Sequence, residues 1–419
     1  MANSILTPTM ITREALRVLH SNLSFVGNVN RQYDDRFAQT GAKIGTSLNI
    51  RMPSKYNVRT SAAYSGQDHV ERSTPLTVSS QYGVDVSFTT AELTMSLDDF
   101  SKRHINPAMA QLAAKIESDA LAVAYKRVAN FTGTTSTQMT YKAFQQNGQL
   151  LAENLAPMGE RTALLNPLSK VEFFDAVKGL FQSSENISKA YREGLMGRTG
   201  GFDVYENTLI PSHTIGTLAG TPLTIGAAIG TVTTTNAWVS QTDVNIDGAT
   251  SGTTVKAGDI LTFGTLAAGL VDVHPESKVS LGKLKKFVAQ SDATAVTAGT
   301  LTVTVKPGII WGSGNGFQNV SLTKADTDNM TVTNFGAAST AVGQNLFFHP
   351  DAFVFATVDL EDVSKYGAWG ARDSMDGISM RLARQYDISN DVVRSRIDVL
   401  WGFAEMYPEL ATRHIHALA

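Results

Sequence analysis

Between Pro211 and about Val342 the chain changes character, and this break constrains its fold more than any other feature. The segment is crowded with Thr, Gly, Val and Ala, as in Gly216-Thr-Leu-Ala-Gly-Thr-Pro222 and Gly299-Thr-Leu-Thr-Val-Thr-Val305, and it shows no helical period. On both sides, apolar residues recur at helical spacing and strands alternate with helices. A block of different composition, after which the outer pattern resumes, predicts a domain inserted into another domain. Such insertions are tolerated at exposed loops, where few backbone contacts cross the junction.

With 419 residues the chain exceeds one ordinary core, so two domains are expected. Charged residues make up 17%, below the roughly 25% usual for soluble domains. A surface so poor in charge predicts cover by other copies of the chain. The net charge of −3 gives no electrostatic footprint for nucleic acid. The densest basic spot, Lys283-Leu-Lys285-Lys286, reads as a solvated strand or loop edge. The absence of cysteine excludes disulfides and thiolate metal sites and suits a reducing cytosol. Met1-Ala-Asn-Ser4 lacks the basic and apolar regions of a signal peptide, so none is expected. Ile260 to Val273 is too short and too interrupted to span a membrane.

Residues 1–46 read as an arm with one helical patch, Thr12 to His20, capped by Thr12, whose apolar side must be buried elsewhere. Leu48, Ile50 and Met52, and later Val84, Val86 and Phe88, alternate with polar residues and predict two strands each burying one face. The long polar stretch between them, Ser54 to Gln81, carries Tyr56 and Tyr64 and lacks an aliphatic pattern. It predicts a hairpin that projects from the body and rests on a partner. A helix is expected from Ser96, with Asp99 at the capping-box position, restarting at Asn106-Pro107 and running to about Asn130. Met109, Leu112, Ile116, Ala120 and Val123 form its stripe. Two more helices, Tyr141–Leu155 and Pro167–Phe181, flank a strand at Arg161–Leu165, and a short one is expected at Glu185–Glu193. Gly194, Gly197, Gly200 and Gly201 frame a loop before the strand Phe202–Tyr205. Ala352–Val358 reads as a buried strand, and Ile378–Ile388 and Val392–Phe403 as a hairpin turning at Asp387–Asp391.

No catalytic constellation emerges. Gly312, Gly314 and Gly316 meet neither the dinucleotide fingerprint nor the P-loop spacing and read as a turn or bulge. His414 and His416 lack a third ligand and read as a surface pair. Asp243-Val-Asn245-Ile-Asp247-Gly248 matches the first half of a calcium loop, but position twelve is Thr254 instead of a bidentate Glu, so a turn at Asp-Gly is the expectation. Lys55 reads as a plain surface lysine. No cofactor or metal is expected, and the chain is not expected to be an enzyme.

The order of elements then carries a resemblance: arm, long hairpin, spine helix, α/β domain, Gly-rich loop, β insertion, closing strand and long C-terminal strands. Together with Asn345-Leu-Phe-Phe-His-Pro-Asp-Ala-Phe353, Leu382–Ile388, Arg396–Phe403, Ala257–Phe263 and Ala289–Thr294, it resembles the major capsid proteins of tailed bacteriophages with the HK-ninety-seven fold. The branch it resembles is that of the phage P-twenty-two (P22) coat protein, in which a β-barrel interrupts the α/β domain.

The resemblance implies an α+β chain with five parts. These are an N-terminal arm (1–46), an extended loop with its flanking strands (47–90), a peripheral domain (91–135 with 359–419), an axial domain (136–210 with 343–358) and an inserted β-barrel (211–342). It implies hexamers and pentamers closing an icosahedral procapsid in the host bacterial cytoplasm, with scaffolding protein and portal as partners. The shell expands as double-stranded DNA enters, without sequence-specific binding and without a membrane. Tyr56, Arg59, Tyr64, Arg72, Arg31 and Arg36 are the candidate inter-subunit contacts. Leu223 to Asp243 is short for the symmetry-axis loop of that branch. A bacterial nanocompartment shell, or a β-rich carbohydrate-binding or adhesin protein, remains the alternative.

Overall fold

The computed structural model describes residues 8–21, 23–32, 47–56, 58–59, 62–64, 66, 70–89, 106–177, 198–229, 238–312, 315–324, 327–361, 363, 367, 369–375 and 378–418. The expected helix start at Ser96 with Asp99, the helix Glu185–Glu193, Gly194, Gly197, Gly314 and Arg36 lie outside them. Two compact units emerge, Met1–Ile50 with Thr74–Leu121 and Phe353–Met406, and Arg51–Ser73 with Ala122–Ala352 and Tyr407–Ala419.

The first unit centres on strand Val392–Glu405. It pairs along one side with Arg72–Thr89 and along the other with Ile378–Asp387, then Phe353–Val358. Ser47–Met52 and Trp369–Met375 are the outer strands. One face of this sheet is apolar: Ile397, Val399 and Trp401 are buried beside Met380 and Leu382, and Trp401 stacks on Phe355 and meets Tyr82 edge-on. The opposite face is polar. There Asp398 is fully buried between Arg381 Nη2 and Arg396 Nε, each at 2.7 Å.

Helix Pro8–Ser21 buries Ala15, Leu16 and Leu19 against the strands Trp369–Met375 and Ile378–Asp387. Thr12 is a buried residue inside this helix, not its cap, because the helix starts earlier at Pro8. Helix Asn106–Arg127 is about 33 Å long at 1.5 Å per residue. Met109, Leu112, Ile116 and Ala120 are buried as expected, but Val123 is exposed and Ala124 takes the next buried place. Over that many turns, the 3.6-residue period shifts the stripe by one position.

The second unit holds a seven-stranded sheet in the order Phe131–Gly133, Ala411–Ala417, Ala341–Phe348, Arg161–Leu165, Phe202–Glu206, Arg198–Thr199, with His213–Thr214 also on Ala341–Phe348. Helix Tyr141–Glu153 is capped by Thr140, whose hydroxyl accepts from Ala143 N, and helix Pro167–Val177 follows Asn166, whose side-chain Oδ1 accepts from Ser169 N. Phe144, Phe173, Phe202 and Phe347 interlock beneath them, with ring centroids 4.5–5.4 Å apart. The last strand, Ala411–Ala417, lies inside this sheet.

The Thr-rich stretch forms a six-stranded antiparallel sheet in the order Val332–Asn334, Ile260–Phe263, Phe287–Ala289, Leu301–Lys306, Thr242–Ala249, Gly220–Ile225. Its two outer strands meet at the bridge Thr224–Thr331, where Ile225 N donates to Met330 O at 2.8 Å. Val244, Ile246, Leu261, Phe263, Phe287, Val303 and Val305 fill its core.

Three further sequence expectations are corrected by the structure. Asp243–Gly248 is no turn: Thr242–Ala249 is one strand, and Asp243 and Asn245 accept from the hydroxyls of Thr304 and Thr302 on the neighbouring strand. His414 and His416 are no surface pair, because helices cover their side of the sheet and both are buried. The basic spot folds inward: Lys283 pairs with Glu153, Lys285 with Asp272 at 2.9 Å, and Lys286 Nζ sits 3.9 Å over the Phe131 ring. Burial pushes the Lys286 amine down to about 8.

Candidate subunit-contact segment

Residues 53–71 link the strands Ser47–Met52 and Arg72–Thr89, and their interest lies in the contrast between root and tip. At the root, Ser54 Oγ donates to Val70 O at 2.8 Å and Arg72 Nη2 to Pro53 O at 3.3 Å, closing the two limbs together. Arg51 and Glu71 face each other at 3.5 Å on the exposed side, a pair worth little in solvent. The Arg72 guanidinium lies 5.2 Å over the ring of Phe317, and Gly316 lies so close to Lys55 that an added Cβ would stand 2.9 Å from its carbonyl oxygen.

Phe317 and Gly316 are held in turn by Lys278. Its ammonium donates to Pro275 O (2.7 Å), Gly316 O (2.8 Å) and Gln318 O (3.0 Å), which uses all three of its N–H bonds. Burial and the neighbouring Lys55 push its amine down to about 8. Lys55 is not a plain surface lysine: burial lowers its pKa, partly opposed by the Glu409 carboxylate.

At the tip the side chains point outward. Tyr56 is 60% exposed, Val58 92% and Tyr64 91%, and Arg59 is exposed with Nη1 donating back to Ala63 O at 2.7 Å. Among the expected contact residues, then, Tyr56, Arg59 and Tyr64 share one exposed segment, and Arg72 is buried at its base. Arg31 lies in the other unit, its Nη2 donating to Gly27 O at 3.3 Å. Val58 joins Tyr56, Arg59 and Tyr64 at the tip, and an isolated valine in a polar run is a readable sequence signal. Lys278 and Phe317 are not legible in the sequence, since the segment they support, at Lys55 and Arg72, lies more than two hundred residues away. Among the described residues no group of three or more His, Cys, Asp or Glu could hold a metal, and no helix is long and apolar enough to cross a membrane.

Solved structures with similar chain traces include the Mycobacterium phage Che8 structure (10% identity, TM-score 0.46, covering 94% of this chain and 90% of that one). The bacteriophage PhiM1 mature capsid (8%, 0.41, 90% and 84%) and the virus-like particle from Pyrococcus furiosus (9%, 0.38, 97% and 98%) are also similar. No curated protein matches by sequence. The family described as P22 coat protein, gene protein 5, matches residues 1–415. The match favours a coat protein over the nanocompartment and adhesin alternatives. The chain belongs to the P22 coat protein family and is a major capsid protein of a tailed phage.

Proposed function

We propose that copies of this chain assemble as hexamers and pentamers into an icosahedral procapsid that expands when double-stranded DNA is packaged. Residues 53–71 of each copy lie on a neighbouring copy. The observation that carries this reading is the pairing of a fixed root with an apolar tip: Arg72 and Lys55 seat the base, while Tyr56, Val58 and Tyr64 stand in solvent. Exposed aromatic anchors on a pre-positioned segment are what a subunit interface uses, because the ordering entropy has already been met within the monomer. Arg59 supplies a charged contact at the same tip, and Arg31 and Arg36 supply further ones on the arm.

The HK-ninety-seven arrangement of peripheral and axial domains, with residues 211–342 as an inserted β-barrel, suits this role. The bridge between Thr224 and Thr331, which joins the outer strands of the six-stranded sheet, supports the barrel. The chain works without catalysis, encloses DNA without sequence-specific binding, and assembles in the host cytoplasm with a scaffolding protein and a portal. Substituting Tyr56, Val58 and Tyr64 together by serine tests the reading. A folded monomer that forms no shells under electron microscopy is expected, and normal shells from this variant would refute it.

A further inference from the structure

Strand Ala411–Ala417 carries Arg413, and its neighbour Ala341–Phe348 carries Gln344. The register pairs Leu346 with Arg413 and Gln344 with Ile415, so Arg413 and Gln344 are diagonal neighbours on one face of the sheet. Diagonal Cβ atoms lie about 7 Å apart, a gap that long side chains span. Arg413 is 0% exposed and Gln344 1%.

Arg413 Nη2 donates to Gly258 O at 2.7 Å. Among the described residues its Nε and Nη1 have no hydrogen-bond partner, and neither have Nε2 and Oε1 of Gln344. The neighbouring acid, Asp259, is already engaged: Oδ1 accepts from His213 Nε2 at 2.7 Å, and Oδ2 accepts from Gly216 N at 3.0 Å and Lys256 N at 2.8 Å. On the same face Ile415 and Val342 pack with Phe131, Ile215 and Ile260 into an apolar wall. Buried donors and acceptors left without partners destabilise a fold, and native structures pair nearly all of them with protein or ordered water.

We propose that Arg413 and Gln344 form a buried water-binding site, in which roughly one or two ordered waters accept from Arg413 Nε and Nη1 and donate to Gln344 Oε1. Water fits this set of atoms because it both accepts and donates. A monatomic anion would take the N–H groups but offer nothing to Oε1, and it would stand near the Asp259 carboxylate. The water links the last strand to the strand beside it and lets Arg413 keep its charge in an apolar setting.

A density map of the assembled shell, at a resolution that shows other internal waters, should show a peak between the two side chains at hydrogen-bond distance from both. Gln344→Met in the full chain removes both orphaned amide groups. If they were unsatisfied, the substitution would raise the melting temperature. With the water bound it strands Arg413, and a fall of about 2–4 °C is expected. No peak, a peak that follows exchange of chloride for bromide, or a melting temperature unchanged or raised would each overturn the proposal. Where the variant fails to fold, the map of the unaltered protein still decides.

Discussion

Glu117 accepts the backbone N–H of Phe25 at 3.0 Å, and its carboxylate also takes Ser24 N at 2.9 Å and Ser24 Oγ at 2.6 Å. A carboxylate in the middle of the long helix, 1% exposed, thus fixes the turn that seats Phe25 against the stacked rings of Phe353 and Phe403. The arm's path is held by a buried charge as well as by apolar contact.

Glu117→Ala removes the carboxylate that accepts from Ser24 N, Ser24 Oγ and Phe25 N. It should cost about 3 kcal/mol in a denaturant titration and open residues 23–32 to proteases before the rest of the first unit. An unchanged midpoint with an uncut arm would show that Phe25 alone seats the turn.

Acid should weaken the second unit through its last strand. Burial, with His416 beside it, pushes His414 down to about 3, and burial lowers His416 as well. His414 Nδ1 meets Thr132 Oγ1 at 2.9 Å, while His416 Nδ1 donates to Ala417 O and its Nε2 accepts from Asn166 Nδ2. Both rings are therefore neutral when folded, so their contribution is intact above the unfolded value near 6.5 and is lost as pH falls below it. From pH 6.5 to 5, His414 alone should remove about 2 kcal/mol. His414→Gln should flatten the pH dependence of the unfolding midpoint over that window, and an unchanged slope would count against this assignment.

Arg72→Ala removes the cation over Phe317 and the donor to Pro53 O. A loss of about 1 kcal/mol is expected, with faster proteolytic cutting within residues 53–71 and slower shell assembly. Arg72→Lys should rescue little, because an ammonium lacks the flat guanidinium face. Equal cutting rates in all three proteins would argue against a root anchored by Arg72.

Gly83 lies opposite Asp398 in the sheet, and an added Cβ would stand 2.5 Å from Asp398 Oδ1 and 2.6 Å from Ile397 O. Gly83→Ala should displace the carboxylate from Arg381 and Arg396 and cost about 2 kcal/mol. A differential scanning measurement with no shift in melting temperature would contradict this.

By itself the sequence determined what depends on neighbours within a few residues. The turn residues Asp387–Asp391 separated the two long strands observed at Ile378–Asp387 and Val392–Glu405, and Asn106-Pro107 placed the start of the long helix as described. The compositional break marked the start of an all-strand stretch, and lone tyrosines in a polar run marked the exposed segment. Only tertiary structure decided the rest. The last strand reads as polar, with Thr412, Arg413, His414 and His416, yet both its faces are covered and every one of these residues is buried. Asp243 and Asn245 look like half an ion site, but they bond to Thr304 and Thr302 some sixty residues on. Lys283 looks solvated until Glu153 arrives from a helix 130 residues earlier. Side-chain periodicity is a local property of the backbone, whereas burial and pairing are set by which distant strand or helix the topology lays alongside.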